Sequence, residues 1–204
     1  MTYEVSFIHD IFTIYELRET TTQSHFRICP ERGGMVISYA PYGKEILYFD
    51  EVTFRDVLVN VRGGIPVLWP ICGKMPDGYS DLIDREFVMQ NHGLVRQLPW
   101  EVVDIDTVNR AAITLKVSSN KTTLLFFPFA FELLFTYELK QGRLSILQTY
   151  TNLSDDPMPM YAGLHPYFLA AEKKLLLQMD TCQYLDLQDG LHKNFCGALD
   201  MSER

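Results

Sequence analysis

The chain has 204 residues, 47% of them hydrophobic and 22% charged, enough for a sizeable core that needs no staples. Its net charge is −8, from 18 Lys and Arg against 26 Asp and Glu with no basic block, which argues against a nucleic-acid partner held by its phosphates. Four scattered cysteines, Cys29, Cys72, Cys182 and Cys196, have neither CxxC nor paired Cys/His spacing, so structural zinc and a disulfide scaffold are not expected.

In chain order, Met1-Thr2-Tyr3-Glu4-Val5 lacks the basic and apolar stretches of a signal peptide. Gly33-Gly34 marks a turn, and Met35–Ala40 after it reads as a strand. Val57–Val61 is a further predicted strand, closed by Gly63-Gly64, and Ile65–Trp69 reads as buried. Asp77-Gly78 marks another turn before the predicted strand Trp100–Ile105. Ala111, Ile113, Leu115 and Val117 alternate with Thr114 and Lys116, the period of a half-buried strand. Thr122–Phe127 is also read as a strand. The most apolar run, Leu124–Phe131, is too short to span a bilayer and is interrupted by Pro128. Phe131, Leu133, Phe135, Tyr137 and Leu139 then form one face of a period-two strand. Gln141-Gly142 predicts a hairpin into Leu144–Tyr150. Leu175–Met179 and a turn at Asp189-Gly190 complete the list.

No stretch has the period of a long amphipathic helix, and 13 Phe with 11 Tyr suit pleated sheets. The expectation is an all-β, antiparallel sandwich or barrel. No repeat or linker divides the chain, so residues 1–204 are read as one domain in a reduced, cytoplasmic setting with no membrane partner.

Three segments could carry chemistry. In Arg62-Gly63-Gly64-Ile65-Pro66, two glycines let the backbone turn sharply beside a guanidinium whose planar fork suits phosphate or carboxylate; it could equally be a surface arginine beside a bulge. In His92-Gly93-Leu94-Val95-Arg96, one short turn could aim an imidazole and a guanidinium into the same space, or His92 could be a satisfied structural residue. In Gly163-Leu164-His165-Pro166-Tyr167-Phe168, Pro166 biases His165 toward extended backbone, as fits a rigid proton donor or a histidine capping an edge strand.

Taken in order, Arg-Gly-Gly-Ile-Pro, His-Gly-x-x-Arg and His-Pro-Tyr-Phe resemble the aldose 1-epimerase superfamily. The likeness is greatest to its hexose-6-phosphate mutarotase branch and runs from about Arg32 to Phe168. The resemblance implies a galactose mutarotase-like β-supersandwich and interconversion of the α and β anomers of a hexose or hexose 6-phosphate. His165 would be the general acid at the ring oxygen. His92 would hydrogen-bond sugar hydroxyls or share the polarising role, and Arg62 and Arg96 would hold the 6-phosphate. No metal or organic cofactor is implied. The family's general base is a glutamate well downstream. The later acids Glu172, Asp180, Asp186, Asp189, Asp200 and Glu203 match no such segment. The resemblance therefore implies a shortened member without its last strands, either an epimerase or a weak or inactive sugar-phosphate binder. It also implies a homodimer that covers the vacated sheet edge.

Overall fold

A computed structural model describes residues 2–74, 89–170, 176–178, 183–186, 189–194 and 198–200. The chain divides into two compact units, Met1–Phe168 and Leu169–Arg204.

In the first unit, β1 (Tyr3–His9), β2 (Thr13–Glu19), β3 (Ser24–Cys29) and β4 (Met35–Ala40) make a four-stranded antiparallel sheet in that order. After the short helix α1 (Glu51–Arg55) comes β5 (Val67–Leu68). Strands β6 (Glu101–Asp106), β7 (Ala111–Ser118), β8 (Phe131–Lys140) and β9 (Arg143–Asn152) make the second antiparallel sheet, with helix α2 (Lys121–Phe126) between β7 and β8. β10 (Gly163–Leu164) pairs with β5.

The alternation in β8 shows how the sheets meet. Phe131, Leu133, Phe135, Tyr137 and Leu139 are all buried, while the residues between them are partly exposed. Their face packs against Leu17, Phe26 and Ile28 of β2 and β3 in one core. Trp69, fully buried, lies 4.1 Å ring to ring from Phe131 and 5.3 Å from Phe127. Replacing such a core aromatic by Ala costs about 3–5 kcal/mol.

The Gln141-Gly142 turn joins β8 to β9 as expected, with φ of 53° and 72° at its two central residues. Two positive φ angles match the twist of a hairpin, which is why Gly fits there. The tip is fastened from the opposite sheet. Glu19 of β2, fully buried, accepts hydrogen bonds from Gly142 N at 2.7 Å, Gln141 N at 3.0 Å and Thr22 Oγ1 at 2.7 Å. Burial alone would raise the Glu19 carboxyl, but these bonds and one from Tyr3 outweigh it and hold it below the ordinary 4.5.

Met35–Ala40 is β4 to the residue, and Ala111–Val117, Trp100–Ile105 and Leu144–Tyr150 lie in or overlap β7, β6 and β9. Two expected strands are not strands. Thr122–Phe127 falls almost entirely in α2, because the Asn120 side chain accepts from Thr122 N and Thr123 N while Thr123 Oγ1 accepts from Asn120 N. That reciprocal cap satisfies the donors that open a helix and overrides the β preference of the sequence. In Val57–Val61, Val57-Leu58 is a turn and Val59 a bend: Asp56 Oδ1 accepts from Leu58 N at 2.9 Å, and Arg32 Nη2 donates to the carbonyls of Asp56 and Val59. Strands β1, β2 and β3 are additions that the sequence reading did not mark.

In the second unit, β11 (Leu176–Gln178) pairs with β14 (Ala198–Asp200), and β12 (Gln183–Asp186) pairs with β13 (Leu191–Asn194), both antiparallel. Asp189-Gly190 forms the turn between β12 and β13. β11 lies inside the expected Leu175–Met179 strand, whose two end residues fall outside the described residues. The same holds for the Asp77-Gly78 turn, Glu172, Asp180, Glu203, Cys182 and Cys196.

Candidate functional site

Two of the three chemical segments lie side by side. Gly163 pairs with Leu68 and Leu164 with Val67. The ladder continues as His165 N donates to Pro66 O at 3.0 Å and Tyr167 N to Gly64 O at 2.9 Å. Tyr167 O in turn accepts from Tyr48 N at 2.9 Å. The arginine-glycine-glycine and histidine-proline segments, about a hundred positions apart in the chain, are therefore neighbouring extended strands. Gly64 is required by this crowding, because a Cβ there would stand 2.3 Å from Val36 O at a φ of +65°.

The third segment is mounted on the same ladder. Leu94 N donates to Trp69 O at 2.8 Å, and Gly93 bridges Trp69 in parallel. A Cβ on Gly93 would lie 2.1 Å from Trp69 O, so only glycine brings His92 this close to the core. His92 itself has a φ of +68°, a left-handed conformation that costs a non-glycine residue about 1–2 kcal/mol. Its backbone N–H donates to Gly73 O at 2.8 Å.

Arg62, His92, Arg96 and His165 all line one cavity of about 220 Å³. The imidazoles of His92 and His165 meet edge to face, with centroids 5.6 Å apart and planes at 75°. Tyr167 lies against the other side of His165, 4.8 Å away at 31°. Arg96 is half-buried, on the 3-10 turn Val95–Gln97, and its Nη2 donates to Asn91 O at 2.8 Å. Arg62 is exposed; its backbone N–H donates to Thr53 Oγ1 at 2.9 Å.

The described lining of the cavity is cationic. Among its described lining residues are Arg32, Arg62 and Arg96 but no Asp or Glu. Burial pushes the His92 imidazole down, and Arg96 and His165 push it further, so it is neutral at neutral pH. Burial also pushes the Arg96 guanidinium down; Tyr167 opposes this and Arg62 adds to it. His92 Nδ1 and Arg96 Nε are buried without a hydrogen-bond partner among the described residues. Each such atom costs about 1–3 kcal/mol until something satisfies it. Among the described residues no three His, Cys, Asp or Glu gather as metal ligands, and no helix is long and apolar enough to cross a membrane.

Sequence reasoning did not find Arg32, Asn60 and Gln97. Arg32 is buried, its Nη2 donating to Thr53 O, Asp56 O and Val59 O at 2.9–3.2 Å. Gln97 Nε2 donates to Asn60 Oδ1 at 3.0 Å at the cavity wall. Neither amide belongs to a motif; their one signal is adjacency to Arg96 and Arg62.

The model of the aldose 1-epimerase family matches residues 27–195. A candidate glucose-6-phosphate 1-epimerase of Escherichia coli K12 is 28% identical over 152 residues, 68% of this chain and 49% of that protein. The chain spans about half, or less, of the curated relatives it matches. Among solved structures, the Slr1438 protein of Synechocystis sp. PCC 6803 is 39% identical, with a TM-score of 0.88 over 97% of this chain and 69% of that one. A galactose mutarotase-like protein of Lactobacillus casei shares the fold at 22% identity, with a TM-score of 0.69 over 97% of this chain and 67% of its own.

Proposed function

We propose that this chain, which belongs to the aldose 1-epimerase family, binds a hexose 6-phosphate and interconverts its α and β anomers by acid–base ring opening. The observation that carries this reading is the convergence of Arg62, His92, Arg96 and His165, from three distant segments, on one cationic cavity. A phosphate monoester carries close to two negative charges at neutral pH. Two guanidiniums that line the cavity match that charge with bidentate donors.

His165 stands between His92 and Tyr167 with its ring exposed, a geometry suited to donating a proton to the ring oxygen. As that proton arrives, the bond from C1 to the ring oxygen breaks and the anomeric hydroxyl loses its own proton, giving the open-chain aldehyde. Rotation about C1–C2 and reclosure on the other face return the proton to His165. The neutral His92 can accept a hydrogen bond from a sugar hydroxyl, and in this reading it receives the anomeric proton.

Exchange spectroscopy by NMR on the anomers of glucose 6-phosphate is the test. Acceleration above buffer is expected, with a loss of about 10²- to 10⁴-fold in His165→Asn. Exchange no faster than buffer sinks the catalytic reading. A second reading, binding with little turnover, is favoured by the lack of an Asp or Glu among the described lining residues; saturable glucose 6-phosphate binding with exchange at the buffer rate would select it.

A homodimer is part of the proposal. Within the first unit β9 pairs only with β8 among the described strands, leaving a ten-residue edge for a second copy. Light scattering that shows a monomer across a wide concentration range overturns this.

A further inference from the structure

The hydrogen bond between Asn60 and Gln97 joins the two arms of the cavity that carry the arginines. Asn60 lies two residues before Arg62, and Gln97 directly follows Arg96. The guanidiniums are like charges facing one space, and Arg62 adds to the burial that disfavours the charged form of Arg96. Left to themselves, such groups swing apart into water, where their charge is screened.

Each arm is fixed at its base. Arg32 Nη2 donates to three carbonyls between Thr53 and Val59, and Thr53 Oγ1 accepts from Arg62 N. On the other side Gly33 N donates to Leu98 O at 3.1 Å, and a Cβ on Gly33 would lie 2.3 Å from Arg96 O. These anchors sit on adjacent residues, Arg32 and Gly33, and set the arms at their base; at the cavity wall the 3.0 Å bond from Gln97 Nε2 to Asn60 Oδ1 links the arms directly. An amide pair suits this task because neither partner adds a charge that would neutralise an arginine.

We propose that Asn60 and Gln97 are positioning residues that hold Arg62 and Arg96 at a fixed separation and thereby select a doubly charged phosphate monoester of a sugar over the neutral sugar. This rests on the arginine reading given under Proposed function. A dianion entering a preset pair of guanidiniums does not have to draw two repelling cations together first, so the saving falls on the phosphorylated ligand alone.

Isothermal titration of the full chain with glucose 6-phosphate and with glucose tests it, using Asn60→Ala, Gln97→Ala, the double variant and Arg62→Ala. Both amide side chains are exposed, so the variants should fold, and circular dichroism checks that they do. Each single amide variant should weaken glucose 6-phosphate by about 2- to 10-fold, the worth of one neutral hydrogen bond. The double variant should be no weaker than the weaker single, and glucose should be unaffected. Losses that add, equal losses for both sugars, or unchanged affinity each overturn the positioning role while leaving the arginine reading intact. If Arg62→Ala binds glucose 6-phosphate as wild type does, the arginine reading itself fails and takes this proposal with it.

Discussion

Glu19 and Arg96 are both ionisable side chains withdrawn from water in the same unit, and they are finished differently. The oxygens of Glu19 take hydrogen bonds from Thr22, Gln141 and Gly142, and the group ends below its ordinary pKa. Among the described residues Arg96 has one bond, to Asn91 O, and an unmet Nε, and its electrostatic neighbours are Tyr167, which favours its charge, and Arg62, which opposes it. The first is a charge closed by the fold for the fold's own use. The second is left with capacity to spare among the described residues, on a side chain that lines the cavity. The difference separates a charge closed by the fold from one proposed for recognition without reference to motif.

The widest break between the two should come from Glu19→Ala. It strands the Gln141 and Gly142 N–H groups, costing about 3–5 kcal/mol, while the Thr22 hydroxyl keeps Ser24 Oγ at 2.9 Å. The urea midpoint should fall sharply, while the folded fraction keeps its affinity for glucose 6-phosphate. Arg96→Met should do the reverse. Stability should move by less than about 1 kcal/mol, because burial already disfavours the cation that is removed, while glucose 6-phosphate affinity drops about 10- to 100-fold.

Acid should separate the two places along the pH axis. Glu19 has a folded pKa below its ordinary 4.5, so its contribution is complete above that pH and is lost as pH falls through the folded value. His92 is also depressed, from 6.5; the unfolded chain protonates it first, so a shallower loss of stability begins below about pH 6.5 and vanishes in His92→Gln. Affinity for the phosphate should decline near pH ~6, as the ligand itself takes up a proton. Urea midpoints and titrations on one pH series would show whether binding weakens before the main acid loss of stability. The smallest effect belongs to Tyr42→Phe, which removes a 3.2 Å bond to Gln141 O. A change in the urea midpoint worth more than about 1 kcal/mol would mean that Glu19 is not the main fastening of the hairpin tip.

The two sheets differed in how openly the sequence displays them. β8 is legible because one face is wholly apolar and the other is not. β2 is not, since Glu16, Arg18 and Glu19 interrupt it and one of these, Glu19, points inward; its burial depends on Gln141 and Gly142, more than a hundred positions away. The helix at Lys121–Phe126 was hidden because a local cap at Asn120 overrode the β-branched and aromatic residues that follow. At the site, His92, Arg96, Arg62 and His165 could be singled out by residue type beside glycine or proline. Their meeting could not, because it depends on a short ladder between residues 63–68 and 163–168. Asn60 and Gln97 carry no signal of their own, since one hydrogen bond between exposed amides leaves no periodicity to read.

The fastened hairpin has a bearing on how this chain can be altered or labelled. Exposed turn tips are the usual places to splice in a tag, a fluorophore or a permuted terminus, and Gln141-Gly142 looks like one in the sequence. Here the tip is plugged into Glu19, and a Cβ on Gly142 would press within 2.7 Å of the Tyr42 ring. An insertion would pull the plug and open the seam between the sheets. The turn at Asp189-Gly190 in the second unit, where a Cβ on Gly190 meets nothing within 4 Å among the described residues, is the better point of entry for a chemist who wants to leave the hairpin fastening intact.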